Sequence, residues 1–525
     1  MSSSGDEGCV SGDEGCVSGD EGLPEGWAWA TVGEVGEIDL GRQRHPDWHH
    51  GPEMRPYLRV ANVFEDRIDT ADLKEMDFSG VFDRYRLEPG DVLLNEGQSP
   101  HLVGRPALYR GDPAEIAFTN SLIRFRAGTG LLPEWALLVF RRHMHFGRFM
   151  REARITTNLA HLSAIRLKAV EFPVPPTAEQ RRIVNAFAAR VAQLDSIERT
   201  LRHAQTTLER LETAVMATAS TGLLGSSGPS VPAAPPPALG VIDGALPDTA
   251  PGWTWTRLDE IAAVVSGVAK DSKKQDDSGL PEVPYLRAAN AQRAQLDLSH
   301  VTRIRVPDKT LDKLRLRAGD VLMTEGGDRD KLGRGWIWED QIEDCIHQNH
   351  VFRARVQEGA THPKLLSWYV NSAARRWFEV NGKQSVNLAS ISMSKVKKLP
   401  VPVPPSDPSS VQVEAVAVGE RALRHMAVLS IRCREGIRHV ADLRRALLSE
   451  AFSGRLVPQN SDDEPAEVLL KRIRVEHEAA EAERKAARRA ARTKAKQTLA
   501  PAPLPHRDTP VLDGEQTALP LEFSS

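Results

Sequence analysis

At 525 residues, with 41% hydrophobic and 26% charged residues and a formal net charge of −3, the chain is too long for a single core and has the composition of an ordinary globular protein of two or more domains. No apolar run approaches the ~20 residues that span a bilayer and no charged-then-apolar leader opens the sequence, so a cytoplasmic location is expected. The four cysteines, Cys9, Cys16, Cys345 and Cys433, form no CxxC pair, which speaks against a disulfide framework or a zinc module and for reduced, inert thiols.

Residues 1–22 repeat SGDEGCV and contain Asp6, Glu7, Asp13, Glu14, Asp20 and Glu21 but no base. With nothing to bury, this segment is expected to be a disordered acidic tail. Its acids account for the negative net charge; the remainder is mildly basic, which is compatible with a nucleic-acid partner. A mixed region follows over 23–176, and much of it is written again over 250–405. Gly26-Trp27-Ala28-Trp29 returns as Gly252-Trp253-Thr254-Trp255, and Tyr57-Leu58-Arg59-Val60-Ala61-Asn62 as Tyr285-Leu286-Arg287-Ala288-Ala289-Asn290. From Gly90-Asp91-Val92-Leu93, which returns as Gly319-Asp320-Val321-Leu322, the offset holds at 229 through Gly104-Arg105, Asn120, Asn158-Leu159-Ala160 and Pro173-Val174-Pro175-Pro176. The chain is an internal duplication. Stretches such as Gly90 to Leu94 read as strands and Pro133 to Met150 as helix, so each copy is α+β.

Each copy ends in a long helix. Over 177–222, Thr177-Ala178-Glu179-Gln180 matches a capping box, and Ile183, Phe187, Val191, Leu194, Ile197, Leu201, Ala204, Leu208, Leu211 and Val215 alternate in steps of three and four, a coiled-coil seam. Residues 223–249, rich in Ser, Pro, Ala and Gly, read as a flexible linker. The second helix, 411–456, carries Leu423, Met426, Leu429, Cys433, Val440, Leu443 and Leu447 on its seam, with Val411-Gln412 where the first has Glu179-Gln180. Gly222 and Gly454 stop the two helices at matching positions. Two such helices most simply bury their seams against each other, so Val191, Leu194, Leu201, Leu208, Leu211, Leu423, Met426, Leu443 and Leu447 are expected to pair them; packing of each helix on its own domain alone is the alternative. The tail, 457–525, includes Arg484 to Lys496, with seven bases and no acid. That run is either a basic helix gripping a phosphate or an acidic partner, or a solvated Ala-rich helix.

Leu23 to Trp27 (LPEGW), Gly90 to Gly97 (GDVLLNEG), Asn158 to Ser163 (NLAHLS), Phe172 to Pro176 (FPVPP), Glu179-Gln180 with Ile183-Val184, and GRLVPQ followed by DEPAEVLLKRI between Gly454 and Ile473 occur in a fixed order. Over about residues 23 to 475 the chain resembles the specificity subunits of type I restriction-modification systems. The resemblance implies two duplicated target-recognition domains, 23–176 and 250–405, separated by a pair of long antiparallel coiled-coil helices. It implies a non-catalytic subunit that binds an asymmetric, bipartite double-stranded DNA target. Two modification subunits would hold S-adenosylmethionine and methylate adenine N6, and a restriction or translocase subunit would hydrolyse ATP with Mg. No cofactor is expected on this chain. Alternatives are a specificity subunit of a methylation-only system and a fused DNA-modifying enzyme.

The enzyme alternative lacks residues to support it. There is no [DNS]-P-P-[YFW] methyltransferase motif and no GxxxxGK[ST] loop. Asp308 and Asp312 lack a further acid at nuclease spacing, and His143 and His145 lie in a basic helical run better suited to solvent or phosphate than to a metal. Gly90-Asp91 and Gly319-Asp320 read as tight turns, and Trp27, Trp29, Trp253 and Trp255 as core anchors rather than base-stacking platforms. DNA contacts are then expected from polar side chains that follow turns or precede the NLA segment. These are Gln98, Ser99, Arg154, Thr156 and Thr157 in the first copy, and Arg329, Lys331, Lys383, Gln384 and Ser385 in the second, together with Arg141 and Arg142 of the basic helical run as phosphate-facing residues.

Overall fold

The computed structural model describes residues 22–498 except 157, 386–387 and 406–408. All of the acidic repeat but Gly22 lies outside the described residues, as do Cys9 and Cys16. The described residues divide into two compact units, those of Met1–Ala192 with Leu443–Ser525 and those of Gln193–Asp442. Among them no helix is long and apolar enough to cross a membrane.

Both units are α+β and are built to one plan. In the first, an antiparallel sheet runs in the order Gly36–Leu40, Leu122–Ala127, Val92–Asn95, Pro106–Leu108. In the second, Val351–Val356 lies between Ala262–Ser266 and Asp320–Thr324. The repeated Gly-Asp launches the matching strand each time. Gly90 and Gly319 take φ of +99° and +91°, where a side chain would be strained. The aspartate then caps the turn and buries its charge on an arginine of the central strand. Asp91 accepts from the Glu88 amide at 2.9 Å and from Arg126 at 2.7 and 2.9 Å. Asp320 accepts from the Arg317 amide at 2.8 Å and from Arg355 at 2.7 Å through both oxygens. The turn reading of these residues is correct. Asn62 and Asn290 are a second duplicated brace, each accepting one amide (Arg59, Arg287) and donating to two carbonyls. Trp27, Trp253 and Trp255 are buried, Trp27 edge-on to Trp135 at 5.4 Å, and Trp29 is half-buried.

The long helices are Thr177–Ser220 and Ser409–Phe452, 44 residues each, ended near Gly222 and Gly454 with φ of +73° and +70°. Within the second unit Gly436 backs onto Leu201 and Gly419 onto Ala219, so the helices run antiparallel. Val191, Leu194, Leu201, Leu208, Leu423 and Met426 are half-buried and Leu447 is buried. Leu211 and Leu443 correct the expected seam, being 46% and 54% exposed, and Ile197 and Leu429 are exposed as well. A strict 3.5-residue pattern drifts on a helix of 3.6 residues per turn, and Glu198 and Glu212 take part of the covered face instead. Burial pushes the Glu212 carboxyl pKa up.

The capping box is also corrected. Thr177 donates to the Gly130 carbonyl at 3.0 Å, and the buried Gln180 amide bridges the Leu132 amide and Pro175 carbonyl, both at 2.9 Å. Thr177-x-x-Gln180 therefore fastens the helix to its domain rather than closing its own first turn. In the first unit the tail returns to the domain start. The Ala466 amide donates to the Gly26 carbonyl at 2.9 Å, and Arg182 grips Asp463 at 2.6 and 3.3 Å.

The segment expected as a flexible linker is anchored in the second unit. Ala233, Val241 and Leu246 pack on the domain core. Asn381 holds Ile242 through two hydrogen bonds of 2.8 Å, and Asp243 receives Arg257 at 2.9 Å on both oxygens and Trp377 Nε1 at 3.2 Å. A proline-rich segment without regular secondary structure carries no apolar periodicity, so the side chains that anchor it, Ala233, Val241 and Leu246, left no pattern to read.

One buried residue gives the second unit an acid sensitivity that the first lacks at the same place. His347 is fully buried, its Nδ1 donating to the Val351 carbonyl at 2.8 Å while Nε2 has no partner among the described residues. Burial pushes its pKa from 6.5 down to about 4. The unfolded chain therefore takes up a proton between those values that the folded chain refuses. The stability is fully present above pH 6.5 and is lost as pH falls towards 4. Phe118 occupies the matching position, pairing with Leu58 as His347 pairs with Leu286. His347→Phe is expected to flatten this part of the acid limb, read as urea midpoints at neutral pH and near pH 4.

Candidate nucleic-acid interface

The same small sheet is built once in each unit and brings the expected contact segments together. In the first, Ala160–His161 lies between Gly97–Gln98 and Arg154–Ile155, with Gln98 and Ile155 both opposite Ala160. In the second, Ala389–Ser390 lies between Gly326–Gly327 and Lys383–Gln384, with Gly327 and Gln384 both opposite Ala389. Segments some sixty residues apart in sequence thus share one ladder. The hairpin turn is closed by its own backbone and hydroxyl. Thr156 N and Oγ1 both reach the Leu159 carbonyl, at 2.9 and 3.1 Å, and Ser385 N and Oγ reach that of Leu388 at 2.8 and 2.6 Å.

Arg154, Thr156, Arg329, Lys383, Gln384 and Ser385 are exposed, and Gln98, Ser99 and Lys331 half-buried. Thr157 lies outside the described residues. Lys331 pairs with Asp328, and Arg329 Nε donates to the Glu379 carbonyl at 3.1 Å, which docks that loop on the helix Arg375–Asn381. Thr156 and Ser385 are turn-closing hydroxyls as well as exposed polar groups.

Arg141 and Arg142 are corrected as DNA-contact residues. Arg141 is only 14% exposed, with Glu65 at 2.9 Å and the Phe187 ring beneath its guanidinium. Arg142 stacks between Phe146 and Phe452. Both lie in an amphipathic helix, Pro133–His145, whose inward face the basic run concealed. Of the histidines there, His143 is buried with Nε2 2.9 Å from the Glu171 carbonyl, and His145 Nε2 lies 2.8 Å from Glu65. They serve different partners. Among the described residues no group of three His, Cys, Asp or Glu is placed to hold a metal ion. Cys345 is buried, which pushes its thiol up to about 12, an unreactive value.

Two features of this surface escaped the sequence reading. Ile155, Leu159 and Leu388 are exposed apolar residues beside the hairpin turns, at 53%, 42% and 58%. The duplicated NLA spacing marked Leu159 and Leu388, whereas Ile155, beside the polar Thr156, lies in no repeated motif. Each ladder also abuts a Glu–His pair, Glu96 with His161 at 3.2 Å and Glu325 with His350 at 2.7 Å. The glutamates match at offset 229 but the histidines do not, so no repeat signal could pair them. The basic run of the tail is partly committed to the first unit. It lies in the helix Ala466–Thr498, where Arg484 meets Glu37 at 2.7 Å and Lys485 meets Glu481 at 2.7 Å.

No protein-family model matches the chain. It is similar to the StySPI specificity subunit of a type I restriction enzyme from Salmonella potsdam, 23% identical over 86% of this chain and 96% of that one. It is also similar to the EcoKI specificity subunit from Escherichia coli K12, 22% identical over 89% of this chain and 98% of that one. A solved structure from work on complex assembly and conformational transition of the type I R-M system shares the fold. It matches with a TM-score of 0.61 and 20% identity, over 83% of this chain and 99% of that one. With the duplication, the two ladders and the long antiparallel helices, these near-full-length matches make the chain similar throughout to the specificity subunits of type I restriction enzymes.

Proposed function

We propose that the chain is the non-catalytic DNA-recognition subunit of a type I restriction-modification complex. Each domain reads one part of an asymmetric, bipartite double-stranded target through its ladder, and the length of the two helices governs the unread gap. The observation that carries this reading is one ladder built twice with different side chains. Gln98-Ser99 and Arg154-Ile155-Thr156 stand in one copy where Gly327-Asp328 and Lys383-Gln384-Ser385 stand in the other. A shared frame with unlike tips suits two readers of unlike sequences. Arg, Lys and Gln there supply both phosphate contacts and base-edge hydrogen bonds.

Chemistry is assigned to partners. Two modification subunits would carry S-adenosylmethionine and methylate adenine N6, and restriction subunits would use ATP and Mg. Methylome sequencing of cells expressing this chain with its modification partner tests the proposal. Adenine methylation in an asymmetric motif of two short parts with an unread gap is expected. A continuous palindrome, or no new motif, overturns it.

A further inference from the structure

The two copies carry opposite charge at one matched hairpin. In the first, Val63–Phe64 and Arg67–Ile68 are joined through Glu65 and Asp66, and in the second Ala291–Gln292 and Gln295–Leu296 through Arg293 and Ala294. Asp66 and Ala294 share a left-handed φ of 50° and 58°. Their amides donate to the Pro106 and Gly335 carbonyls at 3.0 and 3.2 Å. Arg293 therefore stands where Glu65 does, and Arg334 where Arg105 does.

In the first unit the cluster is closed. Glu65 takes Arg141 at 2.9 Å and His145 at 2.8 Å, and Arg105 feels its charge. In the second, Arg293 has Arg375 and Arg334 as cationic neighbours and Asp330 and Glu379 as anionic ones, but among the described residues none of the three arginines makes an ion pair. Arg334 Nε is shielded from solvent without an acceptor, as is the matching Arg105 Nε, and in the second unit Arg293 Nη1 and Arg375 Nε join it. Asp330 accepts from Arg293 through its backbone carbonyl and Glu379 gives its carbonyl to Arg329, so both carboxylates act on Arg293 as nearby charges without a direct ion pair. Burial first, and then the like charges of Arg375 and Arg334 against the opposing charges of Asp330 and Glu379, hold the Arg293 pKa down to about 10. Unpaired guanidinium donors out of water are costly, and a tetrahedral oxyanion is the ligand their forked geometry fits. The helix Arg375–Asn381 that carries Arg375 runs directly into Lys383–Gln384, and Arg329 is docked on it, so the cluster adjoins the ladder.

We propose that Arg293, Arg334 and Arg375 form a phosphate seat for one backbone phosphate of the DNA read by the second domain, a seat that Glu65 fills from within in the first. This rests on the DNA-recognition reading above. The test uses the full chain with its modification partner and a duplex bearing the target mapped by methylome sequencing. Arg293→Gln is expected to lower the slope of log K against log salt by about 1, with the same loss of affinity on target and unrelated duplexes. Arg293→Lys keeps the charge and is expected to keep the slope. Replacing single phosphates of the second half-site by uncharged methylphosphonates should reveal one position that weakens the native complex and leaves the R293Q complex unaffected.

An unchanged slope and no such position, with target binding intact, overturn the seat while recognition stands. If the native complex does not prefer its mapped duplex, both fall. Inorganic phosphate at fixed ionic strength separates the other source. A thermal midpoint raised in the native protein but not in R293Q, with the DNA slope unchanged, makes this a free-phosphate site and overturns the proposal. Arg375→Gln carries the same measurements should R293Q not fold.

Discussion

Asp243→Ala is expected to cost the second unit on the order of 3–5 kcal/mol, because it leaves a buried guanidinium without its counter-ion. Arg257 is only 5% exposed and is held by both Asp243 oxygens at 2.9 Å, with the Pro236 and Lys398 carbonyls as its remaining acceptors. The same carboxylate accepts the Trp377 indole at 3.2 Å, so its loss strands two buried donors. Asp243→Asn retains the indole's acceptor and loses the charge, and is expected to fall between Asp243→Ala and the native chain. The Arg257 hydrogen bonds hold the Asp243 carboxyl below its ordinary value of 3.8. A depressed carboxyl stabilises the fold above its unfolded pKa, and that contribution is lost as pH falls through the folded value. The native midpoint should therefore fall at strongly acid pH more steeply than that of Asp243→Ala. Urea midpoints give the stability. Hydrogen exchange at the Ile242 amide, which donates to Asn381 at 2.8 Å, reports the anchored segment 223–249, the strap, itself. Unchanged protection there would mean that Asp243 does not anchor the segment.

The strap also shows where the sequence stopped being legible. Duplication is visible because identical residues recur at one offset, so the turns at Gly90 and Gly319, the strands after them and the two long helices follow from the sequence. Pairing in space is another matter. Arg126 and Arg355 differ by the same 229 as their aspartates, so their bidentate bonds were readable in principle, yet neither lies in a motif. Gln98 and Ile155 across Ala160, and Gly327 and Gln384 across Ala389, follow from strand pairing that no local pattern encodes. Where the sequence misled, a local rule met a tertiary demand. Gln180 in a capping-box position was recruited to Leu132 and Pro175, Leu211 and Leu443 drifted off a straight helix's covered face, and Arg141 in a basic run turned inward to Glu65. Charge alone does not place a side chain. An arginine three or four residues from the apolar stripe of a short helix is as able to cross it as to leave it.

Exchanging the second domain for that of another specificity subunit is expected to replace one half of the recognised sequence and leave the other half and the gap as they were. Anchoring of the strap sets the boundary of the exchange. A junction at residue 250 would part Asp243 from Arg257 and Ile242 from Asn381, so the donor's own strap must come with its domain, over 226–405. Within those limits the second ladder, Gly326–Gly327, Lys383–Gln384 and Ala389–Ser390, moves as a whole. The first ladder, Gly97–Gln98, Arg154–Ile155 and Ala160–His161, is untouched, and both long helices keep their full length. Each mismatched base pair in a specific site costs about 1–3 kcal/mol, roughly additively. A half-site altered at several positions should therefore lose methylation of the old motif altogether rather than by degrees. Methylome sequencing reads the outcome directly: a new second half-site beside the old first one at the old spacing is the expected result, whereas changes in both halves would mean that the two domains do not read their bases independently.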